Sequence, residues 1–274
     1  MTASTAAAVR SELLKYFTTR LWWGMAIGIF VSGAAFALLF GLLYTSESYL
    51  DQTGDNPFGG APTGDATQIA NSVYTAGLSV GYLLMLVIGV IQIGAEYRHR
   101  TITSTFLTQP RRPRVMLGKV LALVLVAAAY GLLSLVGSVL VGAVTLHARG
   151  AEAFPSAQVF RTLVLSLLVL GLWALIGLGA GILIPNQVAA LLIAVGVAWI
   201  VEPIAGLAIK QWDFGRDHIA PYLPSEASQA VINTALASAD DVRLSWWGGA
   251  IALVVWAAAF AGVGIVRVVR QDIS

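Results

Sequence analysis

The stretch Leu21–Tyr44, LWWGMAIGIFVSGAAFALLFGLLY, contains no acidic or basic side chain over 24 residues. An α-helix of that length rises about 36 Å, and the hydrocarbon core of a bilayer is about 30 Å thick. Its apolar residues are continuous, whereas the lipid-facing residues of a barrel strand recur at every second position. It is too long for the core of a cleavable signal peptide, about 7–15 residues, and no small-residue cleavage site follows it. The stretch therefore reads as a first transmembrane helix, and it sets the class of the chain as an all-α membrane protein.

Five further segments share this character: Val73–Ala95, Val115–Leu146, Thr162–Ile184, Gln187–Ile209 and Trp246–Val266. Composition agrees, with 58% hydrophobic and 11% charged residues against about 25% charged in an average soluble chain. Residues 1–274 read as a single transmembrane domain of six spans. A net charge of +2 is too small to suggest nucleic acid, and the absence of cysteine excludes thiol redox chemistry, disulfides and thiolate metal sites.

Six spans place both termini and the 96–114 connection on one side. That side carries eleven of the sixteen basic residues, among them Arg10, Lys15, Arg98, Arg100, Arg111, Arg112, Arg114, Lys119 and Arg267. Of the acidic residues only Glu12, Glu96 and Asp272 join them, while the 45–72 connection has four acids and no Lys or Arg. The positive-inside rule makes the basic side cytoplasmic. The expectation is a multi-pass protein of the cell membrane with both termini inside, in contact with membrane lipids. Trp22 and Trp23 mark the inner boundary, and Tyr44, Tyr49, Trp212, Trp246 and Trp247 the outer one.

Outside the spans, residues 1–20 carry an amphipathic pattern. Val9, Leu13 and Phe17 share a face, and Arg10, Lys15 and Arg20 supply charge for anionic headgroups; the alternative is a disordered basic tail. The external segment 210–245 includes SEASQAVINTAL, Ser225–Leu236, a short helix with Ser225 as N-cap and Glu226 in its first turn.

Chemical motifs are few. Gly77-Leu78-Ser79-Val80-Gly81 matches G-x-S-x-G, but it lies inside a span without the strand-to-helix turn that exposes a nucleophile. Together with Gly24-xxx-Gly28 and Gly177-xxx-Gly181, it reads as small residues for close helix packing. His99, His147 and His218 fall in loops, no cluster has metal-ligand spacing, and the phosphate-binding G-x-x-x-x-G-K-[ST] pattern is absent. No catalytic, cofactor-binding or metal residue is expected on this chain. Glu202, in WIVEPI, is the one acid well inside an apolar run. A carboxylate there marks a polar cavity or substrate path by default, or else a helix end reaching the headgroups, since Pro203 invites a break.

The segment EYRHRTITSTFLTQPRRPR, Glu96–Arg114, gathers five arginines in the longest inner connection. Its carboxylate, its aromatic ring and the pair Ile102 and Phe106, spaced for one helix face, suggest a docking knob for a soluble partner; the bland reading is a solvated positive-inside loop. Glu96-Tyr97-Arg98-His99-Arg100-Thr101-Ile102, then Thr108-Gln109-Pro110-Arg111-Arg112 and Gly118-Lys119, resembles the first cytoplasmic loop of ABC-2-type transporter permeases. RSELLKYFTTRLWW, Arg10–Trp23, is similar to the entry to their first span. Arg100 stands where that family often has a small residue.

The resemblance implies a permease subunit of an ATP-driven exporter, working as a homodimer or with a similar chain. Two separate ATP-binding cassette subunits would hold ATP and Mg, so hydrolysis is not expected here. It further implies an N-terminal helix along the inner leaflet, a coupling helix over 96–108 seated on the ATPase, and a partly re-entrant segment between spans five and six. Two other classes stand beside it: a secondary transporter, which often shows inverted repeats and several intramembrane charges, and a membrane scaffold that recruits a soluble partner.

Overall fold

The computed structural model describes residues 5–46, 66–98, 112–232 and 243–270, and every regular element among them is helical. Helix α1 (Thr5–Phe17) precedes six spans long and apolar enough to cross a membrane. The first is α2 (Leu21–Tyr44). The second joins α3 (Ala66–Thr75) to α4 (Leu78–Arg98) through Ala76-Gly77. The third and fourth are α5 (Arg112–Ala148) and α6 (Ala157–Leu183). The fifth runs through α7 (Gln187–Gly196), a π-helical turn at Val197–Val201 and α8 (Glu202–Ile209). Short helices α9 (Asp213–His218) and α10 (Pro224–Ile232) lead to the sixth, α11 (Trp246–Arg270).

Several boundaries differ from the apolar runs, for physical reasons. The second span begins at Ala66 because α3 buries Ala70, Val73 and Tyr74 against Tyr44, Leu146 and Val159. Tyr44 is thus a core residue, 1% exposed, and not an interfacial anchor; Trp22, Trp23, Trp212, Trp246 and Trp247 are exposed, as aromatic belts require. Helix α5 extends past Leu146, which brings His147 into its last turn, and His218 likewise ends α9. Gly150 at φ 76° closes α5: its N–H donates to His147 O and that of Ala151 to Leu146 O, the Schellman arrangement that needs a left-handed residue. Asn186 starts α7, its side chain accepting from the N–H groups of Val188 and Ala189. Residues 233–236 of the expected external helix lie outside the described residues.

Glycines bring α4 and α6 together. Gly177 abuts the Leu86 backbone and Gly89 that of Ala174, and a Cβ at Gly181 would lie 2.7 Å from Ile93 Cγ2. In a bilayer, burying apolar side chains between helices gains little over lipid contact, so backbone approach and dispersion take over. The G-x-S-x-G stretch belongs to the same kind of seam: a Cβ at Gly77 would lie 2.9 Å from Gly33 Cα, and one at Gly81 3.1 Å from Leu170 Cδ2. Gly24 and Gly28 meet nothing within 4 Å, so that pair makes no close approach within this chain. The central α6 has 61% of its apolar stretch buried and the fifth span only 11%, which leaves α7 and α8 at the margin.

Gly177→Leu is expected to lose about 3 kcal/mol of stability by overpacking, read as a lower unfolding temperature in detergent. Gly24→Ala, which faces open space, should leave that temperature unchanged.

Candidate functional site

At the end of the bundle where α1 lies, four charges meet. Lys119 Nζ donates to Glu12 Oε2 at 2.9 Å and to Glu96 Oε1 at 2.7 Å. Lys15 Nζ donates to Glu12 Oε1 at 2.7 Å and to the same Glu96 Oε1 at 2.8 Å. Three separate elements are joined: α1 through Glu12 and Lys15, the end of α4 through Glu96, and α5 through Lys119. Two carboxylates cancel two ammonium groups, which lets Lys119 sit at 0% exposure, since buried ions survive only when paired and hydrogen-bonded. Burial acts to lower the Lys15 pKa, but the hydrogen bonds and charges of Glu12 and Glu96 outweigh it and raise it. Lys15 is therefore an ammonium throughout the neutral range.

Around this network α1 is held by shape as well. Ala8 fits against Gly118, where a Cβ would come within 2.9 Å. Tyr16 donates to Tyr130 Oη at 2.9 Å, and Tyr130 donates to Trp22 O at 2.7 Å; burial, then the Tyr130 hydroxyl, raises the Tyr16 pKa. Ala8, Glu12 and Tyr16 thus form the packed face of α1, at helical i, i+4 spacing. Leu13 packs against the core beside them and Phe17 is half exposed, so the expected Val9–Leu13–Phe17 stripe divides between the bundle and the surface.

The residues expected at the docking knob separate. Glu96 is 6% exposed and turned into the network, Tyr97 is half-buried against the core, and Arg98 is exposed. His99, Arg100, Thr101, Ile102 and Phe106 lie outside the described residues. In the sequence Glu12 and Lys119 count toward the orientation and fall within the quoted resemblance, and neither is singled out as a site residue. Lys119 did carry a signal, a lone ammonium within the apolar stretch VMLGKVLALVL. Glu12 carried none, because its neighbours are ordinary for a surface helix.

A second polar locus lies toward the far end of the bundle. Glu202 is 8% exposed and faces inward. Its Oε1 accepts the backbone N–H of Ser225 at 2.6 Å and the Ser225 hydroxyl at 2.7 Å. Helix α10 begins at Pro224, so Ser225 stands in the first turn and not at the N-cap; the carboxylate from α8 satisfies its amide instead. Pro203 does not break the span. The N–H of Glu202 reaches Val197 O, one residue further back than in an α-helix, and the widened turn absorbs the proline. A cavity of about 550 Å³ opens beside Glu202, with Ser79, Tyr82, Trp173 and Gln229 in its wall and the Lys210–Glu226 ion pair, 2.9 Å, at its edge. No family model and no curated protein matches the chain.

Lys119→Met leaves the carboxylates of Glu12 and Glu96 with Lys15 as their one remaining partner in the network and is expected to cost roughly 3–5 kcal/mol, measured by denaturant unfolding in detergent. Adding Glu12→Gln and Glu96→Gln to it should recover most of that loss, because the buried charge disappears.

Proposed function

We propose that the chain is the permease subunit of an ATP-driven ABC-2-type exporter in the cell membrane, with both termini cytoplasmic. It works as a homodimer or beside a similar chain, and two ATP-binding cassette subunits bind ATP and Mg at its inner face. The observation that carries this reading is the four-charge junction. The Glu96–Arg114 connection leaves α4 directly after Glu96 and enters α5 shortly before Lys119, and both residues share one ion network with α1. A push delivered on that connection by closing ATPases would be received by α1, α4 and α5 as one body.

Arg98, exposed at the end of α4, and residues 99–108 supply the coupling surface in this reading, with α1 along the inner leaflet. Glu96 acts from inside, as the tie between the coupling segment and the bundle. The thinly packed fifth span and the exposed Ile27, Val31 and Leu38 of α2 offer apolar surface for a second permease half. The cavity at Glu202 is the substrate path.

The test is reconstitution with the ATPase encoded beside the permease. Arg98→Glu should weaken binding of that ATPase about tenfold or more, since it turns a peripheral attraction into repulsion, while the permease keeps its unfolding temperature. Unchanged binding, or a functional assembly with no ATPase in it, sinks the proposal. A secondary transporter is the second reading, favoured by buried Glu96 and Lys119, which ion coupling would use; transport without ATP would select it.

A further inference from the structure

The carboxylate of Glu202 lines two cavities, one with several polar groups in its wall and one almost without. The first, about 550 Å³, carries Thr75, Ser79, Tyr82 and Gln229 in its wall. The second, about 330 Å³, is lined almost wholly by apolar side chains, among them Leu86, Ile176, Val201 and Phe260. Glu202, Trp173, Ala198 and Leu223 belong to both. Each cavity lies within the size range of small-molecule sites, roughly 300–1,000 Å³.

One acid of this site stands apart from the ion pairs among the described residues. Lys210 pairs with Glu226 at 2.9 Å on the edge. Glu202 meets no cation within ion-pair distance among the described residues. One of its oxygens takes both Ser225 bonds; the other has no donor among the described residues. The wall beside it is rigid. Tyr82 and Trp173 stack at 5.6 Å with an interplanar angle of 3°, and Trp173 Nε1 donates to Ser228 Oγ at 2.9 Å, which fixes the ring pair. A carboxylate at low exposure attracts a cation more strongly than one in water.

We infer that this double cavity binds an amphiphile bearing a single positive charge, with the cationic group at Glu202 and the apolar body in the chamber of Leu86, Ile176 and Phe260. An anionic amphiphile would meet an uncompensated carboxylate, and a neutral one would leave that carboxylate unpaired. The inference deepens the assignment of this cavity as a substrate path, and it rests on that assignment.

Equilibrium dialysis of tetraphenylphosphonium against the purified full chain in detergent tests it without any ATPase. The expected result is saturable binding of the cation, while the anion of the same shape, tetraphenylborate, dialysed separately because the two ions precipitate together, shows none. Glu202→Gln keeps an acceptor for Ser225 and should weaken binding about tenfold or more, the scale of one lost charge-assisted contact. Ala198→Phe keeps the carboxylate but fills the junction, and it should weaken binding similarly; Asp213→Asn, at an exposed site, should not. If Glu202→Gln lowers the unfolding temperature, Ala198→Phe decides. Absent saturable binding, equal binding of tetraphenylborate in its own dialysis, or unaltered affinity in a folded Glu202→Gln or Ala198→Phe chain overturns the inference. Such a failure leaves the ATPase-binding result untouched, whereas a failure of that result with cation binding intact sinks only the exporter assignment.

Discussion

Helix α6 can hold the bundle together because its glycines let other backbones reach it. Between helices in lipid, an apolar side chain gains almost nothing by leaving one hydrocarbon environment for another. Association must come from close contact, and close contact requires small residues at the crossing. Gly177 and Gly181 supply it toward α4, while Gly179 meets the backbone at Phe260 and Ala261 on α11. The Tyr82–Trp173 pair stacks between α4 and α6. With α6 occupied on two sides, the fifth span is left to pack loosely, and the cavities open along its inner edge.

The chain treats its buried charges in two ways. At one end, Glu12, Lys15, Glu96 and Lys119 neutralise one another and bind three elements that are distant in sequence. Such a network contributes geometry more than stability, because the desolvation of the three buried ions, Glu12, Glu96 and Lys119, offsets much of their attraction. At the other end, Glu202 has the two Ser225 donors and no cation partner among the described residues. Its bond to the Ser225 amide ties α8 to α10, so a change at the carboxylate would be felt by both helices. The proposed transport cycle uses this asymmetry, with a neutral joint where force enters and a charged, half-satisfied group where a ligand would sit.

How far the sequence could be read depended on the range of the interaction behind each feature. The six spans were legible because bilayer thickness acts on each segment independently of the others. Gly177-xxx-Gly181 was legible as a contact for the same reason, since its spacing is local to one helix face. Gly24-xxx-Gly28 has the same pattern and no partner among the described residues, which shows that spacing alone does not supply the opposing surface. Glu202 drew notice as a charge in an apolar run, yet its direction could not be read, because Pro203 suggests a broken helix end as readily as the π-helical turn that forms.

The sequence by itself determined the class of the molecule, the number of spans and the exceptional standing of Glu202 and of the arginine-rich connection. Each of these follows from the cost of placing charge or unpaired backbone in hydrocarbon, which is felt residue by residue. Only the tertiary structure decided that Glu96 turns inward to Lys119 and Glu12, that Ser225 is capped from another helix, and that two unlike cavities share one carboxylate. Those outcomes depend on which distant groups the packing brings within 3 Å, and a linear pattern carries no term for that distance.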